Sequence, residues 1–324
     1  MRGPAISVAM CTYNGARFLA EQLGSLAAQS RLPDELVVCD DGSTDESAEI
    51  VKDFARHAPF PVRLEVNEEN LGATKNFEKA IGLCRGEVIA LSDQDDVWYP
   101  KKLELHESVF VADPSAGAAF SDAEVINENQ VSLGFRLWAS LGFSPARQKD
   151  ISNGRGTQVL LNRNAVTGAT MTFRSKFRNL VLPIPNIWVH DGWIALLVST
   201  TADLVLIGEP LIRYRRHAGQ QIGPQDFTLA ERVAQAKKAG ANEYCVMAQA
   251  FTLARDRLLT VGDRSRIEAV IPQIEMKIKH LNARAEMATK RLSRLPRIFE
   301  ELVSCRYHRY SQGYKSAAKD LLLY

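Results

Sequence analysis

Cysteine is scarce here: five residues in 324, an odd number without metal-ligand spacing. That excludes a disulfide framework. Cys11, Cys39 and Cys84 lie in or beside apolar runs, where a thiol behaves as a small buried hydrophobe. A reducing cytoplasm is the expected setting. No apolar run approaches the roughly 20 residues that a membrane span needs, and no secretory-signal pattern stands before Ile6. The expected state is soluble, or peripheral at the inner face of the plasma membrane. A net charge of +2 gives no bulk attraction to nucleic acid. Internal repeats and low-complexity segments are also lacking. What remains is an ordinary globular composition, with 46% hydrophobic and 24% charged residues, enough for one large domain or one domain plus an appendage.

Two aspartate clusters dominate what is present. Leu36-Val37-Val38-Cys39 runs into Asp40-Asp41-Gly42-Ser43-Thr44-Asp45, and Val88-Ile89-Ala90-Leu91 runs into Ser92-Asp93-Gln94-Asp95-Asp96. Each apolar run is short and bounded by turn residues, the pattern of a buried parallel strand. In open α/β sheets ligands bind beyond the carboxyl ends of such strands. Six carboxylates crowded at that rim repel one another unless a cation compensates. Hard oxygen ligands suit Mg2+ or Mn2+, which usually bridge to a substrate's phosphates.

The first hundred residues alternate strand and helix signals, as a parallel βαβ sheet requires. Strand 6–10 leads into Thr12-Tyr13-Asn14-Gly15, and a helix follows with Phe18, Leu19, Leu23 and Leu26 on one face. Ser43 and Glu46 have capping-box spacing, so a second helix is expected there. Val62–Val66 is a third strand. The helix 74–84 is expected to end at Arg85-Gly86, a C-cap signal. Between Asn127 and Asn153 lies an irregular or partly helical insertion. Its Phe135, Leu137, Trp138, Leu141 and Phe143 form a lid or acceptor platform, or else pack in the core. Strands are expected at 117–120, 169–174, 204–207 and 211–213, and a helix at 188–200. After about Phe227 the pattern is helical, with Gly240, Gly262 and Pro272 as breaks. Ile274, Ile278, Leu281, Ala285, Ala288 and Leu292 recur there at helical spacing.

Four segments resemble, in order, the signature of family 2 inverting glycosyltransferases with the GT-A fold. They are Ile6–Asn14, Asp40–Asp45, Asn70-Leu71-Gly72 with Lys75-Asn76, and Asp93-Gln94-Asp95-Asp96. The resemblance spans roughly residues 5–222. It implies a Rossmann-like α/β domain over 1–225, with a mostly parallel sheet and flanking helices, and a separate helical region over 226–324. By that resemblance Thr12, Tyr13 and Asn14 contact base and ribose, and Asp40 or Asp41 accepts from a uracil or thymine N–H. The alternative for the aspartates is capping of the following helix. Lys75 neutralises a phosphate or is simply an exposed lysine. Asp93 meets the ribose or the metal, Asp95 ligates a metal on the diphosphate, and Asp96 supports them.

Inverting transfer also needs a base for the acceptor hydroxyl. Trp188-Val189-His190-Asp191-Gly192-Trp193 matches the family's ED or HD position, which makes Asp191 the base, at a helix start where negative charge is favoured. N-capping is its plainer alternative. Arg213-Tyr214-Arg215-Arg216-His217 with Ala218–Gln221 resembles the YRxH segment of a bacterial branch described as rhamnosyltransferases. There His217 completes the metal or diphosphate site, and Arg215 or Arg216 pairs a phosphate. Gln221 stands where that branch often has Asn, and the QxxRW motif of processive synthases is absent.

The implied partners are a nucleoside-diphosphate sugar (UDP- or TDP-linked) and a glycan or lipid-linked acceptor for a bacterial surface polysaccharide. From Asp226 onward 18 Lys/Arg stand against 11 Asp/Glu. This basic helical tail either packs on protein, including a second copy of the chain, or rests on anionic lipid. Rival readings are a sugar-phosphate nucleotidyltransferase, whose Gly-rich N-terminal signature is missing, and a catalytically silent scaffold.

Overall fold

A computed structural model describes residues 3–218, 241–261, 264–287 and 291–322. The chain forms two compact units, one of Met1–Gly154 with Ala165–Gly223 and the other of Arg155–Asn164 with Pro224–Tyr324. The division near 225 expected from sequence therefore misses one excursion. Residues 155–164 belong with the C-terminal unit.

In the first unit, β1 (Ile6–Thr12), β2 (Glu35–Asp40), β3 (Val62–Val66) and β4 (Val88–Ser92) alternate with α1 (Ala16–Ala27), α2 (Ser47–Ala55) and α3 (Ala73–Leu83). Every residue of β1 and β4 is buried, as expected for strands covered on both faces. Then come β5 (Val97–Trp98), α4 (Lys102–Ala112), β6 (Ala116–Asn127), β7 (Ser132–Arg136), α5 (Leu137–Ser140) and α6 (Pro145–Ser152). After α7 (Gly156–Asn162), in the other unit, follow β8 (Met171–Arg174), α8 (Arg178–Val181), α9 (His190–Thr201) and β9 (Asp203–Arg216).

Among the described residues nine strands form one sheet, in the order β3-β2-β1-β4-β8-β6-β9-β5 with β7 on β6. The first four strands are parallel, as are β6 and β9, but β8, β7 and β5 pair antiparallel. The sheet is thus mixed rather than mostly parallel, because the chain beyond β4 threads β8 between β4 and β6 in reverse. β1 lies between β2 and β4 where the strand order turns back, the point at which such sheets open a crevice. α9 is buried at nine of its twelve positions, so it is a core helix.

Several local expectations change. α2 starts at Ser47, where Asp45 accepts from the Ser47 N–H and hydroxyl. Ser43 is drawn instead to Asp40, so the Ser43/Glu46 capping box does not form. Gly86 is not a left-handed C-cap. A Cβ there would lie 2.7 Å from the Ser7 nitrogen of β1, so close packing is what requires glycine. The insertion's aromatics are core: Leu137, Trp138 and Phe143 are buried, with Trp138 and Phe143 edge-on at 5.2 Å. The two strands expected at 204–213 are one bulged strand, β9.

The second unit contains α10 (Ala241–Val261), α11 (Arg264–Ala285), α12 (Leu295–Val303), α13 (Arg306–Tyr310) and α14 (Tyr314–Leu322) besides α7. The Asn162 amide of α7 donates to the carbonyls of His308, Arg309 and Ser311, at 3.0, 3.2 and 2.6 Å. Ile274 and Leu281 are buried as expected, and Pro272 sits inside α11 without ending it. The same helix also buries Lys277, His280 and Arg284. Arg284 pairs with Asp320 at 2.7 Å and His280 with Glu301 at 2.6 Å. Gly219–Gln221, Gly240, Gly262, Ala288 and the Leu292 side chain lie outside the described residues. No described helix is long and apolar enough to cross a membrane.

Candidate active site

The crevice between β1 and β4 collects most of the expected residues. Thr12 ends β1, where its hydroxyl donates to Gln94 Oε1 at 2.7 Å. The same oxygen accepts from the Tyr13 N–H at 2.8 Å, and the Gln94 amide donates back to the Tyr13 carbonyl at 3.2 Å. Gln94 therefore bolts the β1 turn to the loop after β4, a role not read from sequence although it stands between Asp93 and Asp95. Tyr13 is 38% exposed. Asn14 adopts φ 47°, and its side-chain oxygen accepts from the Thr44 N–H at 2.9 Å.

Asp40 and Asp41 are both buried, and both are occupied by loop geometry. Asp40 accepts from the Ser43 N–H and hydroxyl. Asp41 accepts from Asn67 and from the backbone N–H groups of Leu71 and Gly72, each at 2.8 Å. The resembling Asn70-Leu71-Gly72 segment is thus held by Asp41 itself. Lys75 is half-buried, donating to Glu78 at 2.8 Å and to the Ile184 carbonyl at 2.7 Å. It ties α3 to the segment before α9 instead of presenting a bare ammonium.

Strand register brings the C-terminal motif to the carboxylates. β5 pairs antiparallel with β9, Val97 opposite Arg213. Continuing two residues sets Asp95 opposite Arg215. The Arg215 N–H donates to Asp96 Oδ1 at 2.9 Å, and its Nε donates to the Asp95 carbonyl at 2.7 Å. Its remaining nitrogens reach the Glu128 carbonyl and the Glu21 carboxylate, with Phe18 beneath. Arg215 is fully buried, so it is a strut of the acidic loop, not a surface arginine aimed at a phosphate. Arg215→Met is expected to lower stability by about 2–4 kcal/mol, the worth of charged hydrogen bonds left unmade, checked by denaturant unfolding.

Two residues on, His217 Nε2 lies 2.8 Å from Asp95 Oδ2. Asp93, Asp95 and His217 supply hard oxygen and imidazole donors. Among the described residues no three His, Cys, Asp or Glu side chains close around one point to hold a metal by themselves. Burial, with the Asp95 and Asp191 charges adding to it, pushes the Asp93 carboxyl up to about 7. Burial also drives Asp96 well above the usual carboxylate range, and its Oδ2 has no partner among the described residues.

These shifts have a consequence for stability. Unfolded, Asp93 titrates near 4, so between about pH 4 and 7 the folded chain holds a proton that the unfolded chain has released. Stability then falls as pH rises across that window. A shift of this size corresponds to at most ~4 kcal/mol, reduced to about 1–2 kcal/mol by partial exposure. The metal-free melting temperature is expected to drop by about 3–6 °C from pH 5 to pH 8, and saturating Mn2+ is expected to flatten the slope.

Asp191 occupies the first turn of α9. Its Oδ2 accepts from the Gly168 N–H at 3.0 Å, and its charge reaches Asp93. The candidate base therefore lies near enough to Asp93 for the two charges to interact. His190 faces away into the core, stacked on Phe77 at 3.9 Å, with neither ring nitrogen hydrogen-bonded among the described residues. Burial lowers its pKa, so it packs as a neutral ring. Trp193 is core as well, donating to the Val181 carbonyl at 2.7 Å, and Trp188 is half-buried beside it. Lys102 is an unforeseen neighbour. Fully buried on α4, it feels the charges of Asp96 and Asp93.

A mixed sheet with an acidic crevice at its switch point is the GT-A architecture. The fold matches S. aureus TarS residues 1–349 solved with UDP-GlcNAc (TM-score 0.56, 17% identity, 98% of this chain and 88% of that one). It also matches the mannosyltransferase PcManGT of Pyrobaculum calidifontis, solved with GDP-Man and Mn2+ (TM-score 0.53, 19% identity, 94% and 76%). Residues 7–165 are similar to Glycosyl transferase family 2. The dTDP-rhamnosyl transferase RfbG of Shigella flexneri is 25% identical over 231 residues, 66% of this chain and 73% of RfbG. Of other curated relatives that it matches, the chain spans between 14% and 65% of their length.

Proposed function

We propose that this chain is an inverting glycosyltransferase that uses a nucleoside-diphosphate sugar and Mn2+ or Mg2+ to glycosylate a hydroxyl of a bacterial surface glycan. The observation that carries the reading is the gathering of Asp93, Asp95, His217 and Asp191 at the rim where Gln94 joins the β1 turn to the acidic loop. Thr12, Tyr13 and Asn14 border the nucleotide's place, with the Tyr13 ring left open to stack on a base. Asp41 shapes the wall of that pocket through the Leu71 and Gly72 amides.

Asp95 and His217, with Asp93 beside them, would hold the divalent ion, which supplies Lewis-acid stabilisation of the departing diphosphate. Asp191 takes the proton of the acceptor hydroxyl as that oxygen bonds to the anomeric carbon. The carbon–oxygen bond to the diphosphate breaks on the opposite face, and its electron pair leaves with the nucleotide. No covalent enzyme intermediate is needed.

Likeness to RfbG and the Arg213–His217 segment favours a deoxyhexose such as rhamnose on a thymidine carrier. A cytoplasmic location suits a nucleotide-sugar donor, and the basic tail suits contact with a lipid-linked acceptor or a second copy of the chain. A thermal-shift panel of UDP, TDP and GDP, each with and without Mn2+, tests the reading. Stabilisation by one diphosphate only with metal supports it and names the carrier. No response to any of them, in folded protein, overturns it in favour of a scaffold. Pyrophosphate release from a nucleoside triphosphate would instead mark a nucleotidyltransferase.

A further inference from the structure

We propose that Lys102 is a positioning residue for Asp191, acting through the buried turn Gly168–Thr170; the inference rests on the function proposed above. The inward face of α4 carries Lys102 with Leu103, His106 and Phe110, all buried. A lysine there costs more than the aliphatic residue that packing alone would choose. Its Nζ lies 2.6 Å from the Ala169 carbonyl and 3.3 Å from the centroid of the Trp98 ring. One peptide away, the Gly168 N–H donates to Asp191 Oδ2 at 3.0 Å. The turn is therefore gripped from both sides, by Lys102 through an oxygen and by Asp191 through a nitrogen.

The turn has little slack between those grips. A Cβ on Gly168 would stand 2.6 Å from His190 Nε2 and 3.6 Å from Asp191 Cβ. Thr170 closes the turn onto the Thr167 carbonyl through its N–H at 3.0 Å and its hydroxyl at 2.8 Å. On the next turn of α4, His106 meets Thr172 of β8 at 2.6 Å, which fixes the strand that leaves the turn. The charges of Asp96 and Asp93 also act on Lys102. Loss of its Nζ removes a donor from the buried Ala169 carbonyl and lets the Gly168 N–H move off Asp191.

The test is Lys102→Met, alone and combined with Asp191→Asn. Misplacing a catalytic group by about 1 Å costs ~10²-fold, so kcat for sugar transfer should fall by about that factor. The donor KM and the thermal shift with nucleotide and Mn2+ should stay within about 3-fold and a degree or two of wild type. In the Asp191→Asn background Lys102→Met should cost little more, because the two act as one unit. Full kcat in Lys102→Met, or losses that multiply in the double variant, overturns the proposal. If Lys102→Met does not fold, Gly168→Ala pushes the turn from the other side and should give the same non-additive kcat loss; unchanged kcat there overturns the proposal equally. Hydrogen exchange gives a readout independent of turnover. The Gly168 amide should exchange faster in Lys102→Met, and unchanged protection overturns the inference even if the wild type transfers no sugar.

Discussion

Asp191→Asn is expected to lower sugar transfer by 10²–10⁴-fold, the range that a positioned general base contributes, while donor affinity changes only a few-fold. The amide has the shape of the carboxylate and its oxygen can still accept from the Gly168 N–H, now at 3.0 Å. The first turn of α9 should therefore keep its form. The lost capacity is proton acceptance, and a loss in kcat without a loss in binding is its kinetic mark. A second effect separates chemistry from damage. The Asp191 charge is one cause of the raised Asp93 carboxyl. Its removal should make Asp93 ionise more readily and leave Mn2+ binding equal or tighter. A variant with full transfer activity would remove Asp191 from the base role. A variant that loses metal binding along with activity would show that Asp191 serves the ion site instead.

The parts of this site legible in sequence are those encoded by contiguous chemistry. An apolar run ending in Asp93-Gln94-Asp95-Asp96 announces a strand and its loop together, because burial and turn formation are both local. β1, β2 and β4 lie where those runs stand, and their carboxyl ends meet at one rim. Asp191 lies, as expected, in the first turn of an apolar helix; its role as base came from the resemblance and not from that pattern. Register decided the rest. Arg215 looks like a phosphate ligand in the string Arg213-Tyr214-Arg215-Arg216. Only the pairing of β5 with β9 shows that it stands opposite Asp95 and spends its hydrogen bonds inside the protein. Lys75 and Asp41 share this pattern, polar residues beside the site whose partners come from distant segments.

Lys102 is the extreme case. In Pro100-Lys101-Lys102 it reads as surface charge, and nothing local distinguishes it from Lys101. Yet Lys101 is exposed and Lys102 fully buried, because α4 turns one inward and the other outward. The insertion's aromatics left the choice between platform and core open for the opposite reason. An irregular stretch rich in Phe and Trp suggests an open platform, but Phe120 of β6 offers Trp138 and Phe143 a buried partner about 6 Å away. The excursion of α7 into the second unit includes one asparagine amide meeting three backbone carbonyls, a contact between positions nearly 150 residues apart.

Asp95→Asn should raise the Mn2+ concentration for half-maximal transfer by more than about 10²-fold, since even supporting residues around a metal cost 10–100-fold in affinity when changed. Asp95 is half-buried with Oδ2 2.8 Å from His217 Nε2, so one substitution removes both the proposed ligand and the partner that orients the imidazole. It should also weaken the pH-dependent loss of stability, because Asp95 is the largest charge raising Asp93. Asp96→Asn is the counterpart that makes the assignment decisive. That carboxyl is buried, already driven toward its neutral form, and held by the Arg215 N–H at 2.9 Å. A neutral amide there keeps the backbone contact and resembles the neutral carboxyl it replaces, so Mn2+ activation should change by only a few-fold. Metal titration of the two variants thus separates a carboxylate that binds the ion from one that shapes the loop. If Asp96→Asn proves the more damaging, the ligand assignment within this motif is reversed.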